Sequence, residues 1–269
     1  MKVIINNLNI NCKVSGNPNG LPVIFIHGFP FDHQMWQPQL RSIPEKYFTI
    51  AYDIRGHGES DYGDGQYLIE FFVDDLIELM NHFKIPNAVI VGLSMGGYIA
   101  LRTIERNPER VRALVLCSTK SSADTNEAKI RRARQIKIVK QDGIHRFSEE
   151  FLKSIFSENT FTRSPSMIDI IRNIINKTSP LSIASTLIAL SARTDTTEVL
   201  KNIQVPTLIM VGEKDTLTTP EDAIKMQNLT SNSELHIIPD AAHMINIENS
   251  VLFNKFLFEF LNKLETTKG

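Results

Sequence analysis

Ala88-Val-Ile-Val-Gly-Leu-Ser-Met-Gly-Gly-Tyr98 is the stretch that decides how the chain is read. Val89-Ile90-Val91 is a β-branched run of the kind that forms a short buried strand. From Met95 the apolar positions switch to helical spacing through Ile99, Ala100, Leu101 and Ile104. Ser94 stands on the corner between the two. A serine on so sharp a strand-to-helix turn projects its hydroxyl from a strained backbone, where side chains two positions to either side would collide. Gly92 and Gly96 remove that collision. The Met95 N–H opens the helix and points, partly positive, toward any oxygen that becomes negative beside Ser94. The G-x-S-x-G spacing alone arises by chance in about one chain of this length in ten, so the strand before it and the helix after it carry the weight. The alternative is a glycine-rich turn that only packs a helix close to a sheet.

Upstream, Pro22-Val-Ile-Phe-Ile-His27 is an apolar run bounded by turn residues, as expected of a parallel strand buried on both faces. It leads into His27-Gly28-Phe29-Pro30. Proline biases the residue before it toward an extended backbone, so the Phe29 N–H could be held as a second donor beside that of Met95; an ordinary Gly-Pro turn is the simpler alternative. Phe48 to Asp53 reads as the next strand. For the glycine-bearing segment Asp53 to Ser60 the preferred reading is structural, with Asp53 paired to Arg55. Tyr67 to Phe83 is an amphipathic helix of the length a parallel crossover needs.

Downstream, Val111 to Cys117 is another buried strand, after which the alternation stops. From Ser118 to about Asn202 the pattern offers helices only: Asn126 to Asp142, Ile144 to Phe156, Pro165 to Asn176 and Leu181 to Ala192. So long a helical insertion cannot sit within a sheet, and it predicts a lid over the sheet's carboxyl edge. Core pattern resumes at Val205 to Gly212, the Pro220 to Gln227 helix, Leu235 to Pro239 and a terminal helix from Val251 to Leu264.

A serine hydroxyl attacks only when a base takes its proton and an acid orients that base. Of the seven histidines, His243 follows a strand and precedes a helix, on the edge where Ser94 should open. The acid should come from the loop Val211-Gly-Glu-Lys-Asp-Thr216. Asp215 is preferred there because it lies further into the loop, while Glu213 beside Lys214 is expected to face solvent. Ser94, Asp215, His243 is the nucleophile-elbow order of acid before base.

His27 to Pro30, Asp53 to Ser60, Gly92 to Gly97, Gly212 to Asp215 and the Ala242-His243 loop together resemble the α/β-hydrolase superfamily over nearly the whole chain. The similarity is greatest to its small capped esterases, enol-lactonases and cofactor-free peroxidases. The expected architecture is an α/β fold, a mostly parallel central sheet flanked by helices. Residues 1–117 and 203–269 would make the core and residues 118–202 a helical cap. The resemblance implies Phe29 and Met95 as backbone oxyanion donors. Phe29, Met95, Leu217 and Met244 are the expected pocket residues. Serine at position 94, where dehalogenases and epoxide hydrolases of this fold use aspartate, argues against both chemistries. No lysine or arginine is evidently committed to a substrate carboxylate. Arg131 and Arg134 read as a solvated helix face and Arg193-Thr-Asp195 as a structural ion pair.

The expectation is a serine hydrolase acting on a small carboxylic ester or lactone through an acyl-enzyme. Proline at position 30 resembles the peroxidase members and suggests accessory peracid formation. The alternative is a ligand sensor on the same fold. No metal or organic cofactor is expected.

Composition agrees with a small-molecule enzyme. In 269 residues, 29 Lys plus Arg nearly balance 30 Asp plus Glu, which points away from nucleic acid or an anionic membrane as partner. Cys12 and Cys117 lie in apolar runs and read as buried filler. Met1 leads straight into a strand with no apolar leader, and no apolar run is long enough to span a bilayer, so a cytoplasmic protein is expected.

Overall fold

The computed structural model describes residues 1–266. Eight strands form one sheet: β1 (Lys2–Ile5), β2 (Leu8–Gly16), β3 (Pro22–Ile26), β4 (Phe48–Tyr52), β5 (Ala88–Leu93), β6 (Val111–Cys117), β7 (Thr207–Gly212) and β8 (Ser233–Ile238). Their order is β1-β2-β4-β3-β5-β6-β7-β8. Only the β1–β2 and β2–β4 pairs are antiparallel. Every residue of β4, β5 and β7 is buried, because helices cover both faces there, while β1 at one edge alternates exposed and buried.

The order of the strands explains where a site can form. β3 pairs with β4 on one side and β5 on the other, so the chain leaves β3 in one direction and later returns to its opposite flank. The loops that follow β3 and β5 therefore diverge and leave a crevice at their carboxyl ends. Ile26 stands opposite Gly92 in this register, so the loop containing Phe29 and the turn containing Ser94 start side by side.

The helices flanking the first half are α1 (Gln37–Leu40), α2 (Ile69–His82) and α3 (Met95–Arg106), with α3 packed directly on β5 and β6. Between β6 and β7 run α4 (Asn126–Gln141), α5 (Ile144–Ile155), α6 (Glu158–Arg163), α7 (Pro165–Lys177), α8 (Pro180–Ala192) and α9 (Thr197–Leu200), and no strand among the described residues. The four longer helices follow the sequence pattern. The short α6 and α9 escaped it, since so few residues cannot display a periodic face. The chain closes with α10 (Pro220–Leu229), α11 (Ile245–Glu248) and α12 (Ser250–Thr266). No helix among the described residues is long and apolar enough to cross a membrane.

Two expected ion pairs are replaced by others. Arg55 reaches across to Asp75 at 2.6 Å. Asp53 instead accepts from His33 N, Asn11 Nδ2 and Glu59 N and so fixes its own turn. Arg193 pairs with buried Asp124 at 2.9 Å, at an angle outside hydrogen-bond geometry, and its guanidinium stacks 4.1 Å from the Tyr98 ring. Asp195 caps Thr197 N. In both cases the cation is paired with a buried acid distant in sequence, Asp75 for Arg55 and Asp124 for Arg193, which sequence spacing cannot reveal.

Candidate active site

Ser94 sits between β5 and α3 with φ 54° and ψ −112°. That left-handed backbone costs a non-glycine residue about 1–3 kcal/mol and is held by its surroundings. Ser94 N donates to Cys117 O at 2.9 Å, and Thr119 Oγ1 donates to Ser94 O at 2.8 Å. The glycines on either side are there for space. A Cβ on Gly92 would lie 2.3 Å from Gly96 O, and one on Gly96 would lie 2.2 Å from Ile26 O. The Ser94 turn, α3 and β3 can approach this closely only without those methyl groups.

Asp215 and His243 come from the ends of β7 and β8. His243 Nδ1 lies 2.8 Å from Asp215 Oδ2, and both side chains are buried. The carboxylate is otherwise saturated: Oδ1 accepts from Leu217 N at 2.9 Å and Thr218 N at 3.1 Å, and Oδ2 accepts from Thr218 Oγ1 at 2.7 Å. Burial would raise the Asp215 carboxyl, but the facing His243 and these donors outweigh it and hold the group below its ordinary value. Glu213 is exposed and accepts from Asp240 N. The geometry thus separates the two acids of this loop: one faces the imidazole and the other solvent.

Since Nδ1 is turned to a carboxylate, Nε2 is the ring atom left for the cavity. Ser94 and His243 line one cavity of about 330 Å³. No hydrogen bond joins the Ser94 hydroxyl to the ring among the described residues; such contacts commonly tighten only when substrate binds. Phe29 and Met95 line the same cavity, and neither backbone N–H has a partner among the described residues. Two free amides at the start of diverging loops, one at a helix N-terminus, are what a developing oxyanion requires.

Leu217 also lines this cavity. Met244 does not: it is fully buried, with its N–H donating to Ile155 O at 3.2 Å, because the chain has already turned inward to begin α11. Pro30 is likewise buried outside the lining, and its carbonyl accepts from Thr178 Oγ1 at 3.2 Å.

Other contributors were not singled out from the sequence. Phe147 and Phe151 of α5 stack on each other and meet the Phe29 ring edge-on at 6.2 and 5.8 Å, so the loop after β3 is packed against α5. Their i, i+4 spacing was the available signal, but it says only that they share a helix face. Arg131 and Arg134 are exposed, as expected of a solvated face, yet they also line the cavity beside Lys120 and Arg132. Asp32, His33 and Asp53 bring three potential metal-binding atoms close together. The oxygens of Asp32 and Asp53 already accept N–H donors, including Gln34 N on Asp32, His33 Nδ1 faces Asp53 Oδ1 at 2.6 Å, and the trio reads as a turn lock.

Comparison with known proteins follows the same lines. A family model described as the alpha/beta hydrolase fold matches residues 22–250. Over 245 residues the chain is 29% identical to 3-oxoadipate enol-lactonase 2 of Acinetobacter baylyi, covering 91% of this chain and 90% of that protein. It superposes with a TM-score of 0.92 on a malate-bound esterase from Thermogutta terrifontis, at 32% identity over 98% of both chains. On the enol-lactonase from Burkholderia xenovorans LB400 the TM-score is 0.91, at 26% identity over 97% of this chain and all of that one. With the family model covering most of its length, this chain belongs to the α/β-hydrolase fold family.

Proposed function

We propose that the protein is a serine hydrolase that cleaves a small carboxylic ester or lactone through an acyl-enzyme, with residues 118–202 serving as the lid of its cavity. The observation that carries the reading is the buried 2.8 Å contact between Asp215 Oδ2 and His243 Nδ1, made beside a cavity that Ser94 also lines. Relatives named as enol-lactonase and esterase at this coverage support the substrate chemistry.

In this reading Ser94 Oγ attacks the carbonyl carbon while His243 Nε2 takes its proton. Asp215 stabilises the imidazolium and fixes the tautomer without itself accepting the proton. The carbonyl oxygen becomes an oxyanion within reach of the Phe29 and Met95 N–H groups, which exist before the reaction and so require no reorganisation. His243 then gives its proton to the departing alkoxide. A water molecule deprotonated by the same nitrogen attacks the acyl-enzyme, and Ser94 leaves with that proton.

Accessory peracid formation was suggested by proline at position 30; Pro30 is buried outside the cavity lining, and its carbonyl accepts from Thr178 Oγ1. The sensor alternative has no specific feature behind it.

A panel of p-nitrophenyl esters and simple lactones tests the proposal. Multiple turnover is expected, and Ser94→Ala should reduce it by roughly 10⁴ or more while leaving the melting curve intact. Near-normal hydrolysis by Ser94→Ala would overturn the assignment.

A further inference from the structure

The cap side of the cavity carries a charge imbalance that the hydrolytic machinery does not use. α4 reads Asn126-Glu-Ala-Lys-Ile-Arg-Arg-Ala-Arg-Gln-Ile-Lys-Ile-Val-Lys-Gln141, with six cations against the single acid Glu127. Three of its side chains, Arg131, Arg132 and Arg134, face the cavity, joined by Lys120 from the segment after β6. Asp124 and Glu150 are the acids of that lining, and both are already committed. Asp124 is paired with Arg132 and Arg193, and Glu150 with Arg146.

Lys120, Arg131 and Arg134 have neither an ion pair nor a hydrogen bond among the described residues. The packing explains why. α4 lies against α8, which has no charged residue at all, and Glu149 on neighbouring α5 is held by Arg172. The rest of the cavity wall is largely apolar, with Phe29, Met95, Phe147, Phe151, Leu190 and Leu217 toward the sheet and the other cap helices. A small cavity that is apolar near its nucleophile and has two unpaired arginines on another wall, beside a Lys120 whose charge also acts on Asp124, is complementary to a ligand with a buried ester and a remote anion.

We propose that Lys120, Arg131 and Arg134 form an anion subsite, and that the substrate is an ester or lactone bearing a carboxylate remote from its scissile carbonyl. The planar guanidinium forks suit a carboxylate better than a point cation would, and two of them on one helix turn can share it. This inference rests on the hydrolase reading for the word substrate, but not for binding. Because the arginines are exposed, their attraction is screened by salt and acts on encounter as well as on hold.

The test compares two esters of one shape, monomethyl glutarate and methyl pentanoate, which differ by a terminal carboxylate against a methyl group. At low ionic strength wild type should favour the charged ester in kcat/KM by roughly 10-fold or more, the size of a hydrogen bond to a charged group. High salt should shrink that ratio, and Arg131→Gln with Arg134→Gln should bring it toward one. Both positions are exposed and unpaired and glutamine keeps helix propensity, so the double variant should fold. Hydrolysis of both esters without charge preference, or a preference that survives the double variant, overturns the subsite and leaves the hydrolase reading standing. Calorimetric binding of the same two esters to Ser94→Ala separates the opposite case. A charge preference in binding that is lost in the arginine variant, with no turnover by wild type, supports the subsite and removes the hydrolase reading. Equal binding of the two esters overturns the subsite whatever the turnover.

Discussion

The backbone N–H of His243 donates to the carbonyl oxygen of Ile155, the last residue of α5, at 3.1 Å. The proposed base is therefore tied to the inserted helices as well as to Asp215. A second tie runs through Glu248, whose Oε2 accepts from Ala242 N at 2.8 Å. Its Oε1 accepts from Ser157 N at 2.8 Å and Thr160 Oγ1 at 2.6 Å. One carboxylate thus joins the residue before His243 to the start of α6.

Glu248→Gln tests this coupling. Glutamine keeps one acceptor but turns an amide N–H₂ toward groups that are themselves donors, losing charge-assisted hydrogen bonds worth about 1.5–3 kcal/mol. The midpoint of denaturant unfolding should fall by an equivalent amount, and kcat should drop about 10-fold with a smaller change in KM. Unaltered kcat in a measurably destabilised variant would show that the tie is structural only.

The two acids of the β7–β8 edge make opposite predictions. Asp215→Asn should reduce kcat/KM by about 10⁴, since an amide facing Nδ1 favours the wrong imidazole tautomer. Glu213→Gln, exposed and bonded only to Asp240 N, should stay within about 3-fold of wild type, the scale of a lost surface contact of about 0.5 kcal/mol. Steady-state assays on one good ester decide between them, and the reverse ranking would mean that the orienting acid is misassigned.

How much of this was readable in the sequence follows from the range of each interaction. The parallel strands are short and bounded by turn residues, so local pattern located them, while chain order with loop position nominated Ser94, Asp215 and His243; the structure sets His243 against Asp215 and on a cavity that Ser94 shares. Met244 was misplaced because one residue of register at the start of α11 turns a side chain from cavity to core. Arg55 and Arg193 were given neighbours in sequence, but Asp75 and Asp124 are long-range partners that only the packed fold supplies. Arg131 and Arg134 show the same limit from the other side. An i, i+3 basic pair looks alike on a solvated face and on a cavity wall.

Asp32 gives a pH-dependent prediction. Burial, and then the nearby Asp53 charge, raise its carboxyl to about 6 against the backbone and side-chain donors of Gln34. The folded state therefore keeps a proton that the unfolded state has lost between about pH 4 and pH 6, so this residue makes stability fall as pH rises through that window. Asp32→Asn keeps an Oδ1 acceptor for Gln34 N and removes the penalty. Relative to wild type it should gain about 1–3 kcal/mol between pH 4 and pH 7, read from urea unfolding at each pH. A stability difference that is flat across the window would show that Asp32 is ionised without cost.

The most direct test of the account is to catch the covalent intermediate. Protein mixed with excess p-nitrophenyl acetate, quenched in acid within the first turnovers and digested, should show an acetyl group on the peptide containing Ser94 by mass spectrometry. The label should accumulate with a burst of p-nitrophenol and should be absent from Ser94→Ala. Acetylation confined to another residue, or steady hydrolysis with no adduct that continues in Ser94→Ala, would contradict it.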